Sequence, residues 1–191
     1  MTDDPSAGWD AVAADFEALR SSIGVDIVQR WARDLPRGTA VIDIGCGTGW
    51  PIATALAEHG FNVFGVDASP TLLAAFRRNL PGAHAACEAV QSSRFFDRRF
   101  DAAIAIGLIF LIEESEQIAL IRRVRDALHP GARFLFTAPR EACAWTDSLT
   151  GRTSRSLGEA AYRAALIDAR FTPVEGMVDD GGNRYFASVA T

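Results

Sequence analysis

The sequence predicts an α/β fold: a Rossmann-like, doubly wound sheet, mostly parallel, with an antiparallel C-terminal strand and a helical N-terminal cap. Three observations predict it. From Thr39 onward, short apolar runs alternate with stretches of helical periodicity, the pattern of parallel strands joined by crossover helices. The first apolar run, Val41 to Ile44, leads into Gly45-Cys46-Gly47-Thr48-Gly49 ahead of a helical stretch. The chain closes on two apolar runs joined by Asp179-Asp180-Gly181-Gly182-Asn183, a hairpin-type connection.

Each element has its own signal. Trp9, Val12, Phe16, Leu19 and Ile23 share one helical face, and Ile27, Val28, Trp31, Ala32 and Leu35 share a second. Gly24 separates the two helices and Pro36-Arg37-Gly38 ends the second, which gives a cap over residues 1–38. Ala40 to Ile44 reads as the first strand. Pro51 to His59 reads as a helix with Gly60 beyond its end, and Phe61 to Val66 as a strand. Ser69 is an N-cap followed by Pro70 at the first helical position, and Pro81-Gly82 stops that helix. Ala83 to Cys87 is a weak strand and Phe100 to Ile106 a strong one. Ser115 to Leu128 is a helix that His129-Pro130-Gly131 is expected to stop, before a strand from Ala132 to Thr137.

Ala138 to Arg155 shows no periodicity, and a loop of that length in a compact domain is usually functional. A lid-like loop is therefore expected near residues 138–156. Ser156-Leu157-Gly158-Glu159 fits a capping box opening a helix to about Arg170. Phe171 to Val178 and Arg184 to Val189 are the closing strands. With no repeat and no linker, residues 1–191 read as one domain, with residues 39–191 as the core.

Composition narrows the function. The formal net charge of -5 argues against a nucleic-acid or anionic-membrane partner, which would need a basic surface. All 19 basic side chains are arginine, so a lysine nucleophile or Schiff base is excluded. The first residues, Met1 to Ser6, are polar and acidic, unlike a secretory leader. No apolar run approaches the ~20 residues of a membrane span. Cys46, Cys87 and Cys143 are odd in number and widely spaced, with neither metal-ligand spacing nor a disulfide framework. A cytoplasmic protein without a metal site is expected.

Val41 to Gly49 carries the chemistry. Glycines let a backbone approach a ligand closely, and the following helix start offers free amide donors. Asp67, at the end of the second strand, stands where an acidic side chain accepts from ribose hydroxyls; its alternative is a helix-start anion favoured by the dipole. Both a nicotinamide dinucleotide and a simpler nucleoside need these parts. Trp50 in the place of the third glycine of the dinucleotide fingerprint, Asp43 inside the first strand, the two preceding helices and the closing hairpin favour the nucleoside and argue against a nicotinamide oxidoreductase.

Val41 to Gly49 resembles motif I of class I S-adenosylmethionine-dependent methyltransferases. Phe64-Gly65-Val66-Asp67-Ala68-Ser69 resembles their second motif, and Phe100 to Ala105 their fourth-strand motif. Leu128-His129-Pro130-Gly131-Ala132-Arg133-Phe134 resembles the stretch entering strand five, with Ala132 where a second glycine is common. The resemblance implies S-adenosylmethionine as cofactor. It also implies that Gly45, Cys46, Gly47 and Gly49 pass under the methionine part and that Asp43 holds the loop and, through water, the methionine ammonium. Asp67 and Ala68 would serve the ribose, Glu88 and Ala89 the adenine, and Gly107 the methionine end. Arg20 would meet the methionine carboxylate, or serve as a solvated helix-end cation.

The implied activity is methyl transfer to a small-molecule acceptor by in-line displacement; a cofactor-binding sensor or scaffold without transfer is the alternative. Trp9 is a candidate acceptor wall or a helix anchor. Phe110, within Ile109-Phe110-Leu111, lines a pocket or packs on the next helix. Arg140, Trp145 and Asp147 form an acceptor-reading lid or a surface loop with Asp147 satisfying a turn. His59, His84 and His129 all fall at element ends where structural roles suffice, so no general base is assigned.

Overall fold

The computed structural model describes residues 4–191; residues 1–3 of the expected cap, and with them the start of the polar N-terminal stretch, lie outside the described residues. Strands β1 (Ala40–Ile44), β2 (Asn62–Asp67), β3 (His84–Cys87), β4 (Phe100–Ala105) and β5 (Leu128–Thr137) form the parallel body of the sheet. Between them run α3 (Ile52–Glu58), α4 (Pro70–Asn79) and α5 (Glu114–Asp126), preceded by α1 (Ala13–Leu19) and α2 (Val25–Ala32). A hairpin of β6 (Ala142–Thr146) and β7 (Thr153–Leu157) follows, then α6 (Glu159–Asp168), β8 (Phe171–Pro173), β9 (Met177–Val178) and β10 (Arg184–Ala190). The sheet order is β3-β2-β1-β4-β5-β10-β8, with β9 also paired to β10. Order reverses beside β1, and that switch point is where such sheets bind ligands.

Strand periodicity of two splits the core into two layers. Ile42, Ile44, Ala103, Phe134 and Phe136 pack under α5 and α6, against Ile121, Val124, Tyr162 and Leu166. Val41, Ile104 and Leu135 face Ile27 and Trp31 of α2, Leu56 of α3 and Phe76 of α4. β1 lies between β2 and β4 and is buried along its whole length, which explains an apolar run with one acid, Asp43, near its ligand end.

Several boundaries depart from the sequence expectation. α1 is shorter than its apolar face: Trp9 and Val12 lie in preceding turns, and Leu19 and Ile23 stand 70% and 49% exposed. Gly24 does separate the helices, with φ +90°; a Cβ there would come within 2.1 Å of the Tyr185 hydroxyl, so the corner admits only glycine. His129-Pro130-Gly131 does not stop a helix but lies inside β5. A register shift between Phe100 and Ala102 absorbs the extra residues as a bulge, where proline and glycine are tolerated.

The expected lid-like loop near residues 138–156 contains the β6–β7 hairpin. No capping box forms at Ser156: it lies in β7, its hydroxyl donating to the Pro139 carbonyl at 2.7 Å, and α6 follows Gly158, which supplies no side-chain cap. The run Phe171 to Val178 breaks into β8 and β9. β10 is antiparallel, as expected, but sits between β5 and β8 rather than at the sheet edge. Tyr185, Phe186 and Ala187, all buried, suit that interior place.

Candidate cofactor site

The glycine loop is tied to its neighbours by backbone bonds. The amides of Gly45 and Cys46 both donate to the Val66 carbonyl, at 2.8 and 3.0 Å, fixing the loop to the end of β2. The Gly47 amide donates to Asp67 Oδ2 at 2.8 Å, and the Ser69 amide to Asp67 Oδ1 at 2.8 Å. Asp67 thus bridges the loop and the start of α4, as a carboxylate at a helix start should. Gly49 answers to packing: a Cβ there would come within 2.5 Å of Leu80 and 2.7 Å of Phe76. Gly107, beyond β4, donates its amide to the buried Thr137 hydroxyl at 2.7 Å.

Above this floor lies a cleft of about 980 Å³, counting the space open to solvent, roofed by residues before β1. The roof is built locally. Asp4 accepts from the amides of Ser6 and Gly8 at 2.9 and 2.7 Å, curling Pro5, Ser6 and Ala7 over the cleft. Asp10 Oδ1 accepts from the Ser69 hydroxyl at 2.6 Å and the Thr71 amide at 2.9 Å, clasping the cap to the start of α4. Trp9 meets Phe16 edge-on at 5.5 Å, and the Arg20 guanidinium lies 5.2 Å from the Phe16 ring centre.

The electrostatics concentrate at one end. Asp43 is 4% exposed, and burial pushes its carboxyl up to about 7, against the pull of Arg20 and with a push from Asp67. Burial likewise raises Asp67, although the amides of Ser69 and Gly47 oppose it. Arg20 is drawn down by burial and held up by Asp43, and its Nε has no hydrogen-bond partner. A buried guanidinium nitrogen without a partner, facing a carboxylate that would rather be neutral, is a costly arrangement unless a ligand completes it.

Of the residues singled out in the sequence, Arg20, Asp43, Gly45, Cys46, Gly47, Gly49, Asp67, Ala68, Gly107 and Trp9 all line this cleft. The Cys46 sulfur points away from it: a Cβ on Gly65 would lie 2.7 Å from that sulfur, inside the core. Glu88 and Ala89 are outside the lining, where Val90 and Gln91 stand instead; Glu88 accepts from the Ser93 hydroxyl at 2.6 Å and the Arg94 amide at 3.1 Å. Phe110, Arg140, Trp145 and Asp147 are also outside it. Phe110 packs against Trp145 at 5.3 Å, and Arg140 pairs with Glu159 at 2.9 Å. Asp147 Oδ1 accepts from the Leu149 and Thr150 amides at 3.1 and 2.7 Å, a turn role.

Sequence reasoning passed over Pro5, Ser6, Ala7, Asp10, Leu108 and Ile112, while of the stretch Ile109-Phe110-Leu111 it is Leu111 that lines the cleft. The aspartate-to-serine and aspartate-to-glycine spacings from Asp4 are a turn signal that could have revealed the roof. The apolar Leu108 and Ile112 carried no such signal.

Comparison with known proteins agrees with this geometry. Residues 41–131 match the family model described as a methyltransferase domain. No curated protein matches the chain. Among solved structures, magnesium protoporphyrin IX methyltransferase from Synechocystis PCC 6803, with bound SAM, is 18% identical, with a TM-score of 0.79 over 100% of this chain and 99% of that chain. The 1,6-didemethyltoxoflavin-N1-methyltransferase of Burkholderia thailandensis, bound to its acceptor and S-adenosylhomocysteine, is 19% identical, with a TM-score of 0.77 over 96% of this chain and 84% of that chain. The glycopeptide N-methyltransferase MtfA with sinefungin is 18% identical, with a TM-score of 0.71 over 88% of this chain and 94% of that chain. At such identities the structural likeness establishes the fold, and the family match adds the loop, Asp67 and β4. With that match, the sheet order and the cleft in agreement, residues 41–131 carry a methyltransferase domain set in a Rossmann-like fold.

Proposed function

We propose that this enzyme methylates a small-molecule acceptor whose reacting atom already carries a free lone pair at neutral pH, so that no protein base is needed. The observation that carries the proposal is the division of the cleft. Its charged groups, Arg20, Asp43 and Asp67, gather at the floor and the α1 end, while Trp9, Phe16, Leu108 and Leu111 give it an apolar wall and Ser6, Thr48 and Gln91 add only neutral polar groups.

The residues fit the cofactor. The unpartnered Arg20 Nε suits a carboxylate and buried Asp43 suits an ammonium, together matching an amino-acid end. Asp67 oxygens each keep a lone pair after serving Gly47 and Ser69, which suits ribose hydroxyls. When bound, S-adenosylmethionine supplies an electrophilic methyl group on a sulfonium. The chain's part is to align the acceptor and exclude water, and alignment is worth ~7–11 kcal/mol at best. Trp9, with Leu108 and Leu111, holds the acceptor in this assignment. Phe110, Trp145, Arg140 and Asp147 act one step back, by bracing the hairpin.

Among the described residues lining the cleft, the ionisable ones are Arg20, Asp43, Cys46 and Asp67. Burial pushes the Cys46 thiol well up, and its sulfur faces the core, so it is no base for the acceptor. The three histidines are elsewhere. The toxoflavin and protoporphyrin methyltransferases are named for small molecules, which supports the acceptor class. The net charge of -5 supports an acceptor other than nucleic acid. Three free cysteines support a reducing, cytoplasmic setting. Of the cap expected over residues 1–38, the part described from residue 4 serves as the cap, and residues 39–191 act as the core of one domain.

Two measurements test this. Calorimetric titration of S-adenosylmethionine and S-adenosylhomocysteine should give saturable binding that Asp67→Ala weakens. Labelled methyl transfer into a cell extract should then appear in the low-molecular-mass fraction; label confined to protein or nucleic acid would overturn the acceptor class. With the acceptor in hand, kcat/KM should follow the acceptor's own ionisation and show no added enzyme base.

A further inference from the structure

The segment after β3 has an unusual backbone. Phe95, Phe96 and Asp97 are three consecutive non-glycine residues with positive φ, at +45°, +58° and +51°. Such residues persist in the left-handed region only where the surroundings over-determine them. The surroundings here are specific. Arg123 of α5 reaches across the sheet end, and its guanidinium donates to the carbonyls of Val90 (2.8 Å), Gln91 and Ser93. It also lies 5.1 Å from the Phe95 ring centre. Glu88 closes the other side by accepting from Ser93 and Arg94, and the Ser93 hydroxyl accepts from the Phe95 amide at 3.0 Å. Phe96 is pinned by Phe64 at 5.3 Å.

All of these bonds converge on the stretch that presents Val90 and Gln91 to the cleft. That stretch follows β3, the neighbour of β2 on the side away from β1. With the sugar at Asp67 and the amino-acid end at Asp43 and Arg20, the cofactor's base projects toward β3, onto Val90 and Gln91. We infer that Arg123 is a positioning residue for the nucleobase: it collects three loop carbonyls into one fork and so sets the wall against which adenine lies. Glu88 is its counterpart from the other side, positioning the loop rather than touching the base. Arginine suits the task because its planar fork offers five fixed donors and no acceptor. The role rests on the cofactor orientation proposed above.

The test compares two ligands that differ in the base. S-adenosylhomocysteine carries adenine, and S-ribosylhomocysteine carries the same amino acid and sugar without it. Both are titrated into the wild type, Arg123→Gln and Arg123→Lys, the second ligand by displacement at high concentration, with thermal melts to check folding. Arg123→Gln should weaken S-adenosylhomocysteine about tenfold or more and leave S-ribosylhomocysteine within about twofold, because only the base has lost its wall. Arg123→Lys, which keeps a cation but not the fork, should fall between and covers the case in which the glutamine variant does not fold. Parallel loss for both ligands, or no loss for either, overturns the role, since general damage would not discriminate the base. Wild-type protein that binds neither ligand would overturn the cofactor orientation itself, a result distinguishable from either of those.

Discussion

Asp43 bears on stability and, in the proposed cofactor assignment, on binding. Burial disfavours the charge and pushes its carboxyl up to about 7 in the folded protein, from an ordinary 3.8. The sign follows from linkage. The folded state binds more protons than the unfolded state between about pH 4 and pH 7, so this group lowers stability as pH rises through that window and holds it down above. Asp43→Asn should therefore raise the melting temperature of the ligand-free protein at pH 8, with the difference vanishing near pH 4; an unchanged melt at pH 8 would contradict the burial penalty. The same variant should lose affinity for S-adenosylhomocysteine. In the wild type, an ammonium beside Asp43 favours the ionised form, so affinity should fall below pH 7 by up to about tenfold per pH unit. Calorimetry in buffers of different ionisation heat should detect the proton released on binding. At this scale the sequence was legible wherever the site is local. Asp43, the glycine loop and Asp67 lie within one strand-loop-helix unit and its neighbour, and their spacing constrains their placement. Glu88 was less so, because a side chain at a strand end can turn to the ligand or to its own loop, and the hydroxyl of Ser93 decides.

The β6–β7 hairpin shows what elements hide. Its buried positions are Ser154 and Ser156, so its period of two is written in polar residues and carries no hydrophobic signal. What holds it in place is remote in sequence. Gln117 of α5 is fully buried; its Nε2 donates to the carbonyls of Ile112 and Arg155, both at 2.9 Å, and its Oε1 accepts from the Tyr162 hydroxyl at 2.7 Å. One amide thus ties the hairpin to α5, α6 and the turn after β4. Gln117→Leu removes three hydrogen bonds, those to the Ile112 and Arg155 carbonyls and that from the buried Tyr162 hydroxyl, and should destabilise the protein by about 2–3 kcal/mol, read from denaturant melts. Amide exchange should quicken first across residues 142–157, and a uniform loss of protection would argue against this local tie. α1 was over-read for the related reason that an apolar face does not require burial: Leu19 and Ile23 match the helical period and still face solvent.

On the scale of the whole molecule, the parallel half of the sheet was readable because each strand is followed by its own crossover helix and each unit repeats the same local logic. The position of β10 was not readable. Antiparallel pairing to β5 joins residues some fifty apart, such as Tyr185 with Thr137, and nothing in the hairpin sequence distinguishes an edge from an interior place. The cap was expected, but the clasp of its first turns was not: Asp10 accepts from the Ser69 hydroxyl and the Thr71 amide at the start of α4, a link no local pattern announces. That attachment also bears on the tempo of catalysis. In the proposed assignment the cofactor lies against Pro5, Ser6, Ala7, Trp9, Phe16 and Arg20, so S-adenosylhomocysteine passes this roof as it leaves. Two hydrogen bonds from a surface carboxylate are weak enough to break often and selective enough to re-form in register. Asp10→Ala should cost about 1 kcal/mol of stability while speeding dissociation of S-adenosylhomocysteine in stopped-flow chase experiments. If product escape limits the cycle, the same change should raise kcat, making this enzyme faster by loosening its door.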